Sequence, residues 1–247
     1  MNLVIILFFC LIGSIGSLGL AALIFFVPPK FTKWMLPVLV SYATGTLLGA
    51  AFLGLIPNAL NHLPAADLMP VILAGVLAFF LLEKILLWRH CHDGNCPEHG
   101  QSGPLILFGD AFHNFVDGVI IAAAFLVSPG LGIAAAFAVI AHEIPQELGD
   151  FLILLQSGYT RSRALLLNAL SGSTTVLGGL IAFFFLQKIN AALPYVMAIS
   201  AASFIYIALA DLIPGHRRNV SPASTILQFT LMLLGVGTIA LFHAHAH

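Results

Sequence analysis

The stretch Val119-Ile120-Ile121-Ala122-Ala123-Ala124-Phe125-Leu126-Val127-Ser128-Pro129-Gly130-Leu131-Gly132-Ile133-Ala134-Ala135-Ala136-Phe137 decides the fold. Two apolar runs flank Ser-Pro-Gly, a tight turn. Neither run alternates with the period of two that marks a half-buried strand. Each run extends to about the 20 residues that a helix needs to cross the hydrocarbon of a bilayer. The expected form is a pair of antiparallel helices in a membrane.

Working outward, the same texture recurs. Apolar segments are expected at 3–27, 36–59, 70–88, 105–127, 131–156, 164–186, 193–213 and 224–242, joined by short connections that hold Pro28-Pro29, Pro64, Pro97, Asn219 and Pro222. Hydrophobic residues make up 60% of the chain and charged residues only 8%, against roughly 25% charged in an average soluble domain. So few charges cannot cover a water-facing surface, and lipid is the expected solvent. The fold class is therefore all-α, a polytopic membrane bundle of eight transmembrane helices, read as one domain over 1–247. The net charge of −1 gives no reason to expect nucleic acid as a partner. Cys10, Cys91 and Cys96 are too few and too oddly placed for a disulfide framework. The first segment carries no charge and spans a bilayer, so it reads as a retained helix and not a cleaved signal.

Orientation follows from the basic residues. Lys30 and Lys33 fall at the first connection, Lys84 and Arg89 at the third, Arg161 and Arg163 at the fifth, and Arg217 and Arg218 at the seventh. Only Lys188 falls on the other side. By the positive-inside rule the odd connections face the cytoplasm and both termini are extracytoplasmic. The expected location is the cytoplasmic (inner) membrane of a cell, crossed many times.

Ionisable groups inside a bilayer are costly and mark a pathway or a site. They gather in the fourth and fifth segments. Asp110, His113, Asn114 and Asp117 are spaced i, i+3, i+4 and i+7 and form one helical stripe. His142, Gln146 and Asp150 share a face of the next helix, with Glu143 and Glu147 in a second line beside them. Both clusters lie about 14 residues from the Ser128 turn, so they should meet at one depth. No Lys or Arg lies in either segment to pair with the acids. Imidazoles, carboxylates and amide oxygens converging without a cation would repel, and a divalent ion resolves that conflict. Nitrogen and oxygen donors without thiolate suit zinc first, with iron, manganese, cobalt or cadmium also accommodated. Pro145 removes one helix hydrogen bond and should free the carbonyl of Ala141 beside the cluster. His142-Glu143-x-x-Gln146 lacks the second histidine of a zinc-protease helix. Three rival functions use the same residues: a metal-independent proton-coupled carrier, a metal-dependent membrane hydrolase, and a sensor that binds metal without moving it.

With these residues in view, the chain resembles the ZIP (Zrt/Irt-like) family of divalent-metal transporters. His113-Asn114-Phe115-Val116-Asp117-Gly118 is similar to the fourth-helix motif. His142-Glu143-Ile144-Pro145-Gln146-Glu147-Leu148-Gly149-Asp150 resembles the fifth-helix motif of the subfamily written HExPHE. Leu82-Glu83-Lys84, the run Arg89-His90-Cys91-His92, and Ala208 to Pro214 with its Asp211 echo the family elsewhere. The resemblance implies a transporter and not an enzyme, with eight helices, extracytoplasmic termini and metal moving into the cytoplasm. It implies a first ion on His113, Asp117, His142 and Gln146. A second would sit on Asn114, Asp117 and Glu143, with Gln146 as a further donor. It also implies helices one, four, five and six moving against the rest, with no organic cofactor; a homodimer is compatible with it. Three departures each remove charge from the pathway. Gln146 stands where the subfamily has histidine, Thr175 where many bacterial members have a sixth-helix glutamate, and Asn58 where a glutamate is common.

The third connection, 89–103, holds His90, Cys91, His92, Cys96 and His99 among polar residues, a set that can accept a borderline metal ion at a cytoplasmic exit. His243, His245 and His247 are placed to gather metal on the opposite side or to form an inert polar end.

Overall fold

The computed structural model describes residues 3–24, 29–88, 103–213 and 221–244. His90, Cys91, His92, Cys96, His99, His245 and His247 lie outside the described residues, as do the side chains of Lys30, Lys33, Asp211 and His243. Among the described residues the chain forms eight long helical rods and no strand. α1 (3–24) joins Leu3–Leu11, a π-helical turn Ile12–Gly16 and Ser17–Ile24. α2 (29–60) joins Pro29–Gly49, a π-helical Ala50–Leu55 and Ile56–Leu60. α3 is Ala65–Trp88, α4 is Gly103–Val127 and α5 is Pro129–Gln156. α6 (161–188) is broken at Ser173 into Arg161–Gly172 and Thr174–Lys188. α7 (193–213) runs through Leu193–Tyr206 into a π-helical Ile207–Leu212, and α8 is Pro222–Ala244.

Hydrocarbon offers no hydrogen bonds, so each segment must satisfy its own backbone, and a helix does so alone. Seven of the rods have the length and hydropathy to cross a membrane. α5, at 28 residues, is long enough too, but its stripe of His142, Glu143, Gln146, Glu147 and Asp150 makes it less apolar than the other seven. Its caps are local. Ser128 Oγ accepts from Leu131 N at 3.2 Å and Pro129 takes the first helical position, so the turn starts α5 immediately after α4 ends. The helices reach further than the apolar pattern suggests. Lys30 and Lys33 fall in the first turns of α2 and Arg161 and Arg163 in the first turn of α6. Pro145 does not end α5, which continues as helix through Gln156.

Small residues set the packing. A Cβ on Gly118 of α4 would lie 1.9 Å from the Thr175 carbonyl oxygen, and one on Gly178 of α6 would lie 2.0 Å from that of Phe115. Only glycine allows the two backbones to touch there. Hydroxyls join them: Thr174 Oγ1 donates to the Ala111 carbonyl at 2.6 Å and Ser171 Oγ to that of Leu107 at 3.1 Å. A parallel seam joins α2 to α8, where a Cβ on Gly45 would meet the Met232 carbonyl oxygen at 2.0 Å. α1, α4, α5 and α6 pack on one another; α3 packs on α7, and α2 and α8 close the bundle against α5. Leucines and phenylalanines of the outer faces, such as Leu73, Leu77 and Phe80 on α3, stay exposed for lipid.

Candidate metal centre

The tight turn at Ser128 brings the stripes of α4 and α5 to one depth, as their equal distance from it requires. Four side chains converge. His113 Nε2 lies 3.1 Å from His142 Nε2, 3.4 Å from Asp117 Oδ2 and 3.3 Å from Glu143 Oε1. His142 Nε2 lies 3.3 Å from Asp117 Oδ2 and 3.7 Å from Glu143 Oε1. Four ligands bound at about 2.0–2.1 Å to one tetrahedral zinc ion stand roughly 3.3 Å apart. Five of the six edges between these atoms, at 3.1–3.7 Å, are therefore close to those of a coordination tetrahedron, and all four atoms lie within 4.8 Å of one another.

His142, Asp117 and Glu143 are fully buried, and only 16% of the His113 side chain is exposed. None of the four carboxylate oxygens of Asp117 and Glu143 receives a hydrogen bond. Buried acceptors are normally satisfied, so four orphans in one place call for a cation. His142 Nδ1 sits 2.9 Å from the Ala138 carbonyl oxygen, which can only accept. That contact puts the proton on Nδ1 and turns the Nε2 lone pair toward the cluster, the way a ligating imidazole is oriented.

The remaining candidates go elsewhere. Asn114 is buried one turn from the cluster, but both ends of its amide are engaged: Nδ2 donates to Asp110 Oδ1 at 2.9 Å, and Oδ1 accepts from Thr175 Oγ1 at 2.9 Å. Gln146 Nε2 donates to the same Asp110 oxygen at 3.3 Å. Asp110 is thus the hub of a network and not a member of the tetrahedron. Gln146, Asp110 and Asp150, together with His113, line a cavity of about 500 Å³ between α4, α5 and the helices α2, α3 and α7. Glu147 is fully buried on another side of α5, toward α1 and α6. Asp211 lies in the π-helical turn of α7 near the Leu212 end of that cavity.

Two cavity residues carry no weight in the stripe reading. Glu83 of α3 accepts a hydrogen bond from the Tyr206 hydroxyl of α7 and pairs with Lys84 at 3.7 Å. The signal for Glu83 was the acid inside an apolar segment. Tyr206 has no such mark. Thr175 enters through its hydroxyl, which a search for charged groups passes over.

Comparison with known proteins closes the question of kinship. The model of the ZIP zinc transporter family matches residues 88–243, which contain both motif helices and all four residues of the cluster. The chain belongs to the ZIP family. Zinc transporter ZIP13 of Pongo abelii is 32% identical over 85% of this chain and 67% of its own length. ZIP13 of Mus musculus is 30% identical over 82% and 68%. Zinc transporter ZIP4 of Rattus norvegicus is 30% identical over 85% of this chain but only 43% of the relative. This ZIP chain is accordingly a multi-pass membrane protein of a zinc-transporter family.

Proposed function

We propose that this ZIP protein carries zinc into the cytoplasm through a single-ion site formed by His113, Asp117, His142 and Glu143. The observation that supports this most is the tetrahedron of unsatisfied donor atoms. Two carboxylates balance the charge of one divalent ion, so the loaded site is neutral where a net charge would be expensive. Two imidazoles favour zinc over magnesium or calcium, while iron, manganese, cobalt and cadmium remain chemically acceptable. The Asn114 amide oxygen is engaged by Thr175 and the Gln146 side chain is drawn toward Asp110 through Nε2, which supports one ion in this cluster and not the two of the family pattern.

The direction rests on two supports. The basic residues assign the odd connections to the cytoplasm. The cavity runs from His113 past Asp110, Gln146 and Asp150 toward the Leu36, Glu83, Ile153 and Leu212 ends of their helices, which is that same side. On the other side of the cluster Ile121, Phe125, Leu131 and Val139 are buried in the apolar core. Both supports favour a pathway open toward the cytoplasm, with carboxylates and amides to receive the departing ion.

The test is flux. Proteoliposomes holding a zinc-sensitive dye should admit zinc with the native chain and not with Asp117→Asn, while the variant stays folded by circular dichroism. Zinc binding without entry by the native chain would replace transport with the sensor reading.

A further inference from the structure

A second group of orphaned polar atoms lies beside the cavity, where α5 meets α1 and α6. Glu147 is fully buried, and neither of its carboxylate oxygens makes a hydrogen bond of ordinary geometry, the Asn168 amide being the polar side chain beside it. Ser14 of α1 is 1% exposed and its Oγ has no partner either. Asn168 of α6, also fully buried, donates from Nδ2 to the Glu147 carbonyl at 3.4 Å and leaves Oδ1 unpartnered. Gly172 of α6 keeps the space between them open. A Cβ built there would stand 2.9 Å from Ser14 Oγ and 3.5 Å from Glu147 Oε1.

The backbone is irregular at both flanking helices. Ser14 lies in the π-helical turn Ile12–Gly16 of α1, and Gly172 is the last residue before the break in α6 at Ser173. Interrupted helices inside membranes are tolerated where they border a site, and π-turns concentrate at functional positions. The basic residues nearest in sequence, Arg161 and Arg163, are exposed at the start of α6 and do not neutralise Glu147.

We propose that Glu147 and Ser14, at the gap left by Gly172 and with Asn168 on the neighbouring turn of α6, bind one hard monovalent cation of sodium's kind. The donors are all oxygens, with no imidazole or thiolate to select zinc. Carboxylate, hydroxyl and amide oxygen suit a hard ion. A single carboxylate neutralises a single positive charge, whereas a divalent ion would leave an excess charge in the bundle. The bound ion ties α1 and α6 to α5 one turn from Glu143, so that the three helices respond to it together. This site stands independently of the zinc reading, because none of its donors belongs to the tetrahedron.

The experiment measures thermal unfolding of the purified full chain in lipid nanodiscs, in sodium chloride or choline chloride at equal ionic strength. The midpoint should climb with the logarithm of sodium concentration, as ligand binding to the native state requires. It should do so in the native chain and equally in His142→Ala. Glu147→Gln, and Gly172→Ala, which fills the gap, should abolish the rise. Equal midpoints in the two salts for the native chain overturn the proposal, as does a rise that survives in Glu147→Gln. Where Glu147→Gln does not fold, line broadening of the sodium NMR signal by the native chain, lost in Ser14→Ala, replaces it. An infrared band of a protonated carboxylic acid on Glu147 that sodium leaves unchanged would show a proton in its place and also overturn it.

Discussion

Glu143 and Glu147 stand one turn apart on α5, both fully buried and both without hydrogen bonds to their carboxylates. Their neighbours differ. Glu143 faces His113, His142 and Asp117, while Glu147 has Ser14 and the backbone gap at Gly172 beside it. The same side chain in the same helix thus meets two chemistries one turn apart, because nitrogen donors converge on Glu143 and oxygens of α1 and α6 stand beside Glu147. Burial marks both as exceptional; the neighbouring helices decide what each can hold. The cost of leaving either carboxylate empty in a low-dielectric bundle is what makes the distinction testable.

The sharpest break of this comparison is to remove each carboxylate in turn. Glu143→Gln deletes one corner of the tetrahedron. Zinc flux should fall to the level of empty vesicles, and zinc affinity by calorimetry should weaken by at least about 100-fold, since even the groups behind metal ligands are worth about 10–100-fold. Glu147→Gln should leave zinc affinity within about 10-fold of native. If the two substitutions weaken zinc equally, Glu143 and Glu147 belong to one site and the separation drawn between them fails.

A second comparison sets the seam beside the cluster against its counterpart on the other side of the bundle. Gly118→Ala drives a methyl group into the Thr175 carbonyl, and Gly45→Ala does the same at Met232. Each should destabilise by about 3 kcal/mol as an overpacked interface. Only Gly118→Ala adjoins a ligand, Asp117, so only it should also lower flux per folded molecule. Thermal midpoints alongside flux normalised to folded protein separate the two effects. Equal flux loss in both would mean that α2 and α8 move with the site.

The helices were legible because lipid leaves no alternative: an uncharged apolar run such as 119–127 must satisfy its own backbone, and composition alone says so. The depth at which α4 and α5 meet was legible too, from equal distances to Ser128. The division of labour within the stripes was not. Helical spacing places Asp110, His113, Asn114 and Asp117 on one face, but a face is wide. Which residues reach the tetrahedron depends on where α6 and α7 stand. Thr175 shows the reason: its hydroxyl claims Asn114 from another helix, and no period in α4 announces a partner 61 positions away. Resemblance put Gln146 among the ligands of a first ion. In this fold its Nε2 donates to Asp110 Oδ1 at 3.3 Å.

That displacement yields a smaller expected effect. Gln146→Ala removes a donor to Asp110, two steps from the cluster, and should weaken zinc by less than about 10-fold in calorimetry, below the range of a group that orients a ligand directly. A loss as large as that of Glu143→Gln would return Gln146 to the coordination sphere and restore the ligand set of the wider family.

The smallest effect on transport belongs to Thr175→Val. The change preserves volume and removes one hydroxyl, leaving Asn114 Oδ1 buried without its donor at 2.9 Å. An orphaned buried acceptor costs about 1–3 kcal/mol, so unfolding should shift measurably. Zinc affinity and stoichiometry should stay as they are, because Asn114 still donates to Asp110 and still lies outside the tetrahedron. The informative result is the contrary one. If freeing Asn114 Oδ1 raises the stoichiometry from one zinc to two, then the threonine hydroxyl is what closes a second site. The difference between a one-ion and a two-ion pathway would in that case rest on a single hydrogen bond from α6.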